Sequence, residues 1–275
     1  MRKRTRKMVV YILLLIVTFL FLLPIIWMIS SSLKNNQEIF TFPPNFIPKV
    51  FNWGNYPRAL SYIPFMKYLA NTLIISVGSV IGTLVSVPLV AYSFSRLEWK
   101  GRNFLFALCI ATMMIPFIVT MIPMYAMFKS LGWIDTYYPL IVPAFFGTPL
   151  YIFLMRQFYL GIPKDISEAA YIDGASEFRV FLQIITPLTK PALIAISLFT
   201  FLANWTDFLA PLIFLNDSNN FTLSLGLQQF QSVHSTQWAY LMATCVVFTL
   251  PVAILFFVFQ RHFIEGISMS GQGGK

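Results

Sequence analysis

Residues 8–29 read MVVYILLLIVTFLFLLPIIWMI, an apolar run without a single charged side chain. As an α-helix such a run is about 33 Å long at 1.5 Å per residue, enough for a bilayer core of about 30 Å. It shows none of the two-residue alternation of a barrel strand. Five more runs of the same kind follow, at about 68–92, 104–128, 138–160, 192–215 and 238–259. The fold class predicted is all-α: a polytopic membrane protein with six transmembrane helices. Composition agrees, because the 275 residues are 57% hydrophobic and 11% charged, with 29 Phe. A soluble domain carries about 25% charged residues and could not hide so much apolar surface. A soluble enzyme and a disordered tail are therefore excluded. The basic start, Arg2 to Lys7, imitates a secretory signal, but signal cores run only about 7–15 apolar residues. Cleavage near Ser30 or Ser32 is the minority alternative.

The net charge is +9, from 19 Lys+Arg and 10 Asp+Glu. With the N-terminus in the cytoplasm, fourteen of the 19 basic residues fall in inside segments, as the positive-inside rule demands. Both termini are then cytoplasmic, and the basic charge reports loops at an anionic membrane face rather than nucleic-acid binding. Cys109 and Cys245 sit inside apolar runs, and neither a CxxC nor a Cys/His zinc spacing occurs, so no disulfide framework or metal site is expected. The whole chain, 1–275, reads as one transmembrane domain. Its outside loop 32–67 is long, with Pro43-Pro44 and Asn52-Trp53-Gly54-Asn55-Tyr56 as turns and interfacial aromatics. The outside loop 216–237 is polar and lacks basic residues, and a tail, 261–275, ends the chain inside.

The segment 161–187, between the fourth and fifth runs, encodes two short helices. Asp165 is placed to cap the first, with Glu168 completing a capping box. Gly174 sits where a helix ends in a left-handed residue. Ser176 is placed to cap the second helix, and Glu177 suits its positive N-terminal end. Phe178, Phe181, Leu182 and Ile185 give that helix an apolar face. Pro187 and Pro191 mark the return to the membrane. A compact helix–glycine–helix element suits either a knob that enters a partner's groove or a loop lying on lipid headgroups.

The spacing Glu168-Ala169-Ala170, three residues, Gly174, nine residues, Ile184, Pro187 resembles the EAA loop of permease subunits of bacterial binding-protein-dependent ABC importers. Thr186 stands where that family usually has Leu. The turn Tyr92 to Arg102, the run Asn204 to Leu212 and the tail start Glu265-Gly266-Ile267 are similar to the carbohydrate, MalG-like, branch. The resemblance implies a subunit in the bacterial cytoplasmic membrane that forms half of a sugar pathway. It implies as partners a homologous MalF-like permease, an ABC ATPase dimer that binds the ATP, and an extracytoplasmic solute-binding protein. Glu168, Ala169, Ala170, Gly174, Ser176 and Pro187 are implied to dock on the ATPase, and Glu265 and Gly266 to lie near it.

The chain has no G-x4-GK[ST] loop, HExxH or GxSxG, so it is expected to be no enzyme and to carry no cofactor of its own. His234 and His262 fall on opposite sides of the membrane. Asp207 is the one acidic residue well inside a predicted span. With Asn204, Trp205 and Thr206 it marks a candidate pathway or permease-partner patch, the alternative being a packing contact between helices. An ion-coupled carrier using Asp207 is the rival function. It lacks a basic partner and a visible internal repeat.

Overall fold

The computed structural model describes residues 2–231 and 236–270, with 261–270 as helical backbone alone. Among the described residues the only β-pairing is a single bridge between Gln231 and Thr236. Four helices are long and apolar enough to cross a membrane: Arg6–Ser32, Phe65–Ser95, Tyr138–Leu160 and Trp238–Gln260. Two bent pairs, Arg102–Met114 with Phe117–Ser130 and Glu177–Leu188 with Lys190–Thr206, raise the number to six when each is one span. Spans are numbered below in that order along the chain.

The third and fifth spans are bent rather than single straight helices. Span three turns by 100° where Ile115 (φ −87°, ψ 113°) meets Pro116 (φ −63°, ψ 142°). Proline removes an N–H and drives the preceding residue out of the helical region. Pro24, Pro88 and Pro251 are carried inside unbroken helices instead. Span five bends by 78° at Thr189 and stops at Thr206. A separate short helix, Leu209–Phe214, completes the apolar run.

The chain forms two compact units, Met1–Met66 with Gly226–Pro251, and Lys67–Leu225 with Val252–Lys275. In the first, span one leaves most of its apolar side chains open, as lipid or protein neighbours require. The loop after it is folded rather than a chain of turns. Asn55 Nδ2 donates to the carbonyls of Ser32 and Lys34, each at 2.9 Å. The Lys34 ammonium is buried, donates to Asn45 O, and lies 4.3 Å from the centre of the Trp27 ring. Asn36 Oδ1 accepts from Ala239 N–H at 2.9 Å, which satisfies an orphan donor at the start of the last helix.

In the second unit, span two packs on span four through small residues. A Cβ on Gly82 would lie 2.7 Å from Phe145 Cδ2, and one on Gly78 3.0 Å from Ile141 Cγ2. Span four is itself broken there, by a 3₁₀ stretch Val142–Phe146 and by Gly147 at φ 88°. Ser79 and Ser86 Oγ donate to Leu140 O at 3.1 Å and Ala144 O at 2.8 Å. Hydroxyls on the glycine face thus serve carbonyls at the broken segment.

The polar loop after span five is tied to Asp135, which has φ 63°. Its Oδ1 accepts from the N–H of Asn216 at 3.0 Å and of Asp217 at 2.9 Å. These backbone donors favour the ionised form and hold its carboxyl below the usual range. Beyond it the loop turns inward: Thr222, Leu223 and Leu225 are buried, and Leu223 N–H donates to Thr72 Oγ1 at 2.9 Å.

Two outcomes follow. Gly82→Ala should lower the thermal unfolding midpoint of the purified protein, with a cost of about 1–3 kcal/mol for overpacking. Gly54→Ala, where a Cβ meets nothing within 4 Å, should leave it unchanged. Asp135→Ala should speed hydrogen exchange at the Asn216 and Asp217 amides. Because the folded carboxyl titrates lower than the unfolded one, the anchor is at full strength above the ordinary aspartate range. It weakens only as pH falls through the lowered folded value, so exchange at those amides should depart from intrinsic pH dependence only in acid.

Candidate docking loop

The loop 161–187 lies within the second unit. Its first helix is Lys164–Ile172, and its N-cap is Pro163, with φ −54° and ψ 140° and no side-chain cap bond. This corrects the capping box expected from Asp165 and Glu168. The locked φ of Pro163 turns the chain into the helix two residues before Asp165, which lies in the first turn. There its charge still meets the helix dipole.

The helix ends as the glycine predicts. Gly174 has φ 80°, its N–H donates to Tyr171 O at 3.0 Å, and Ala175 N–H donates to Ala170 O at 2.9 Å. That pair of bonds is a Schellman motif. Ser167 and Ala170 face inward, whereas Glu168 and Ala169 are exposed and Ile172 is 86% exposed. Of the EAA triplet, two residues therefore point outward and Ala170 seats the helix.

Ser176 stands at the next N-cap, with φ −72° and ψ 158°, and its carbonyl accepts from Val180 N–H at 2.9 Å. Its hydroxyl makes no cap bond, so it caps through its backbone alone, not through the side chain expected. The helix Glu177–Arg179 widens into a π-helix, Val180–Ile185, where Thr186 N–H reaches back to Phe181 O. Pro187 lies just beyond, within Thr186–Leu188. It has no N–H to give, and its ring would crowd the carbonyl of Gln183 in a regular helix. The apolar face is narrower than predicted: Phe181 and Ile185 are buried, but Phe178 is 64% and Leu182 51% exposed.

Underneath, Ala170, Val180, Phe181 and Ile185 join one buried cluster with Val87, Ala91 and Tyr92 of span two. Ile152, Met155 and Tyr159 of span four and Ala192 and Ile196 of span five complete it. Two arginines fasten the entrance. Arg96 Nη2 donates to Tyr159 O at 2.6 Å and Ile162 O at 2.5 Å. Arg156 Nε donates to Phe94 O at 3.1 Å, and its guanidinium lies 4.2 Å from the centre of the Phe106 ring. In the sequence these arginines counted only as topology charges. The available signal was the four-residue spacing of Tyr92 and Arg96, which puts both on one helix face.

The candidate pathway residues are not gathered with the docking loop. Asn204 Oδ1 accepts from Ser79 Oγ at 3.2 Å, and its Nδ2 donates to Thr200 O at 2.8 Å. Trp205 is 1% exposed and stacks on Phe201 with centroids 5.3 Å apart. Both are engaged in packing within their own unit. Asp207 leaves the helix with extended backbone, and its Oδ1 accepts from Ala210 N–H at 3.3 Å, between the end of span five and the short helix Leu209–Phe214. His234 and the side chains of His262 and Glu265 lie outside the described residues, and Gly266 is described only as helical backbone.

Gly174→Val should strain the left-handed turn and speed proteolytic cleavage between 164 and 187. Gly174→Asn should stay near wild type, because Asn tolerates that conformation.

Residues 78–269 match the family described as binding-protein-dependent transport system inner membrane component. The chain is 34% identical over 263 residues to the arabinooligosaccharides transport system permease protein AraQ of Bacillus subtilis (strain 168), covering 94% of this chain and 93% of that one. It is 31% identical, over the full length of both, to the trehalose/maltose transport system permease protein MalG of Thermococcus litoralis. A chain from the crystal structure of a bacterial ABC transporter involved in the import of the acidic polysaccharide alginate superimposes with a TM-score of 0.82. The two are 25% identical, with 94% of this chain and 97% of that one covered. The chain belongs to the family of binding-protein-dependent transport inner-membrane components, the permease subunits of ABC transporters.

Proposed function

We propose that this permease subunit, which is not itself an enzyme, forms half of a carbohydrate pathway and couples to an ATPase dimer through the loop 161–187. The observation that carries this reading is the two-sided loop. Its inner face is built into the core of three spans, while Glu168, Ala169 and Ile172 face outward. A helix of two turns is unstable alone, so a pre-seated one with an open face suits a rigid docking element. The sugars in the relatives' names support a carbohydrate cargo. The other half of the pathway is then a MalF-like permease, with an extracytoplasmic binding protein delivering the sugar. The placement of fourteen of 19 basic residues supports cytoplasmic termini and a cytoplasmic docking loop. Closure of the ATPase would draw the docking loops together and open the pathway outward. The domain reading follows the same scheme: one permease domain over 1–275, with the loop 32–67 outside and the tail 261–275 inside, near the ATPase.

The ion-coupled alternative loses its ground. Family membership favours an ATP-driven importer, and Asp207 is engaged by the Ala210 N–H just past the end of span five.

The test is purification of the tagged chain from its host in mild detergent with mass spectrometry of what accompanies it. A second permease and an ABC ATPase are expected, and Glu168→Lys should abolish sugar uptake while leaving membrane insertion intact. Recovery of the chain alone, with uptake that collapses with the proton gradient, would overturn the proposal.

A further inference from the structure

The carboxylate of Glu177 joins three elements. Tyr92 OH, from span two, donates to Glu177 Oε1. Tyr171 OH, from the docking helix, donates to Oε2 at 2.6 Å. Glu177 itself opens the first, bent part of span five, which continues through the π-helical stretch. The Tyr92 ring is wedged edge-on against Phe181 at 5.0 Å and Tyr159 at 5.9 Å, so its hydroxyl is held in place. One turn further along span two, Arg96 grips the carbonyls of Tyr159 and Ile162 at the other end of the loop. A single helix face thus holds the docking loop at its entrance and at the start of its second helix.

We propose that Glu177 is a positioning residue that locks the docking helix to span two through Tyr171 and Tyr92, so that displacement of the loop moves span two together with span five. The apolar cluster adds an attraction that is itself non-directional, whereas a hydrogen bond weakens steeply as its angle departs from linear. Bonds from hydroxyls to a carboxylate are short and strong, and two of them on one carboxylate fix the register between the elements. The sequence marks Glu177 only as a favourable helix-start charge. Its tyrosine partners lie six and 85 residues away.

The inference rests on the docking reading above. Its test uses the full transporter complex, carrying Tyr92→Phe, Tyr171→Phe or Glu177→Gln in this chain, reconstituted in vesicles. The readouts are the amount of assembled complex, ATP hydrolysis, and sugar imported per ATP hydrolysed. Tyr92→Phe should assemble at wild-type levels and hydrolyse ATP, yet import about tenfold less sugar per ATP, the effect of losing one hydrogen bond to a charged group. Glu177→Gln, which weakens both bonds, should lose at least as much. The double variant of Tyr92 and Glu177 should be no worse than Glu177→Gln alone, because that change already removes the charged acceptor of the Tyr92 bond. An unchanged ratio in Tyr92→Phe, or additive losses in the double variant, would overturn the inference. So would loss of assembly in Tyr92→Phe, since the link would then be merely structural. A wild-type chain that brings no ATPase with it would overturn the docking reading and this inference with it. Failure of the tyrosine variants alone to change the ratio, in an ATP-hydrolysing complex, leaves that reading standing.

Discussion

A backbone N–H or carbonyl that loses its helical partner inside a bilayer has no water to turn to. That constraint explains why apolar runs become helices, and it also governs how this chain breaks them. Where span four changes to 3₁₀ geometry, Ser79 and Ser86 come across from span two to its carbonyls. Just past the end of span five, Asp207 takes the Ala210 N–H. These two interruptions are each accompanied by a nearby polar side chain, which serves the backbone there.

The same logic shows which features were legible in the sequence. Length and hydropathy gave six apolar runs because both are properties of one segment at a time. Gly174 was readable for a similar reason: a left-handed helix end is a local conformation with a steep residue preference. Pro116 was not distinguishable from Pro24, Pro88 and Pro251, although only Pro116 among them breaks its helix sharply. Whether a proline bends a membrane helix depends on which neighbours accept the freed groups, and that is tertiary information. Pro163 holds the capping position instead of Asp165 for a purely local reason, its fixed φ at the helix start. Asn204 and Trp205 stand out in the sequence as a polar and an aromatic residue in a greasy span, and their contacts with Ser79 and Phe201 are tertiary information that the sequence does not carry.

The candidate docking loop, 161–187, has two unlike faces. Its outer face is composition that any short amphipathic helix could have. Its inner face is specific: Ala170 and Ala175 are small enough to let the Schellman turn lie close on the core, and Pro187 forces the wide helical turn ahead of span five. Arg96 and Arg156, which topology counting treats as interchangeable positive charges, are instead consumed by carbonyls. Arginine suits this because its planar fork can serve two acceptors at once.

Asn36 and the Ala239 amide it caps are 203 residues apart, and the first unit as a whole joins Met1–Met66 to Gly226–Pro251. A chain made from its N-terminus inserts span one and its following loop long before their partner segment exists. That unit therefore cannot close during most of synthesis, and its early portion must wait, inserted but unfinished, until the last span leaves the ribosome. Release of the C-terminal segment is then the event that completes the part of the protein made first.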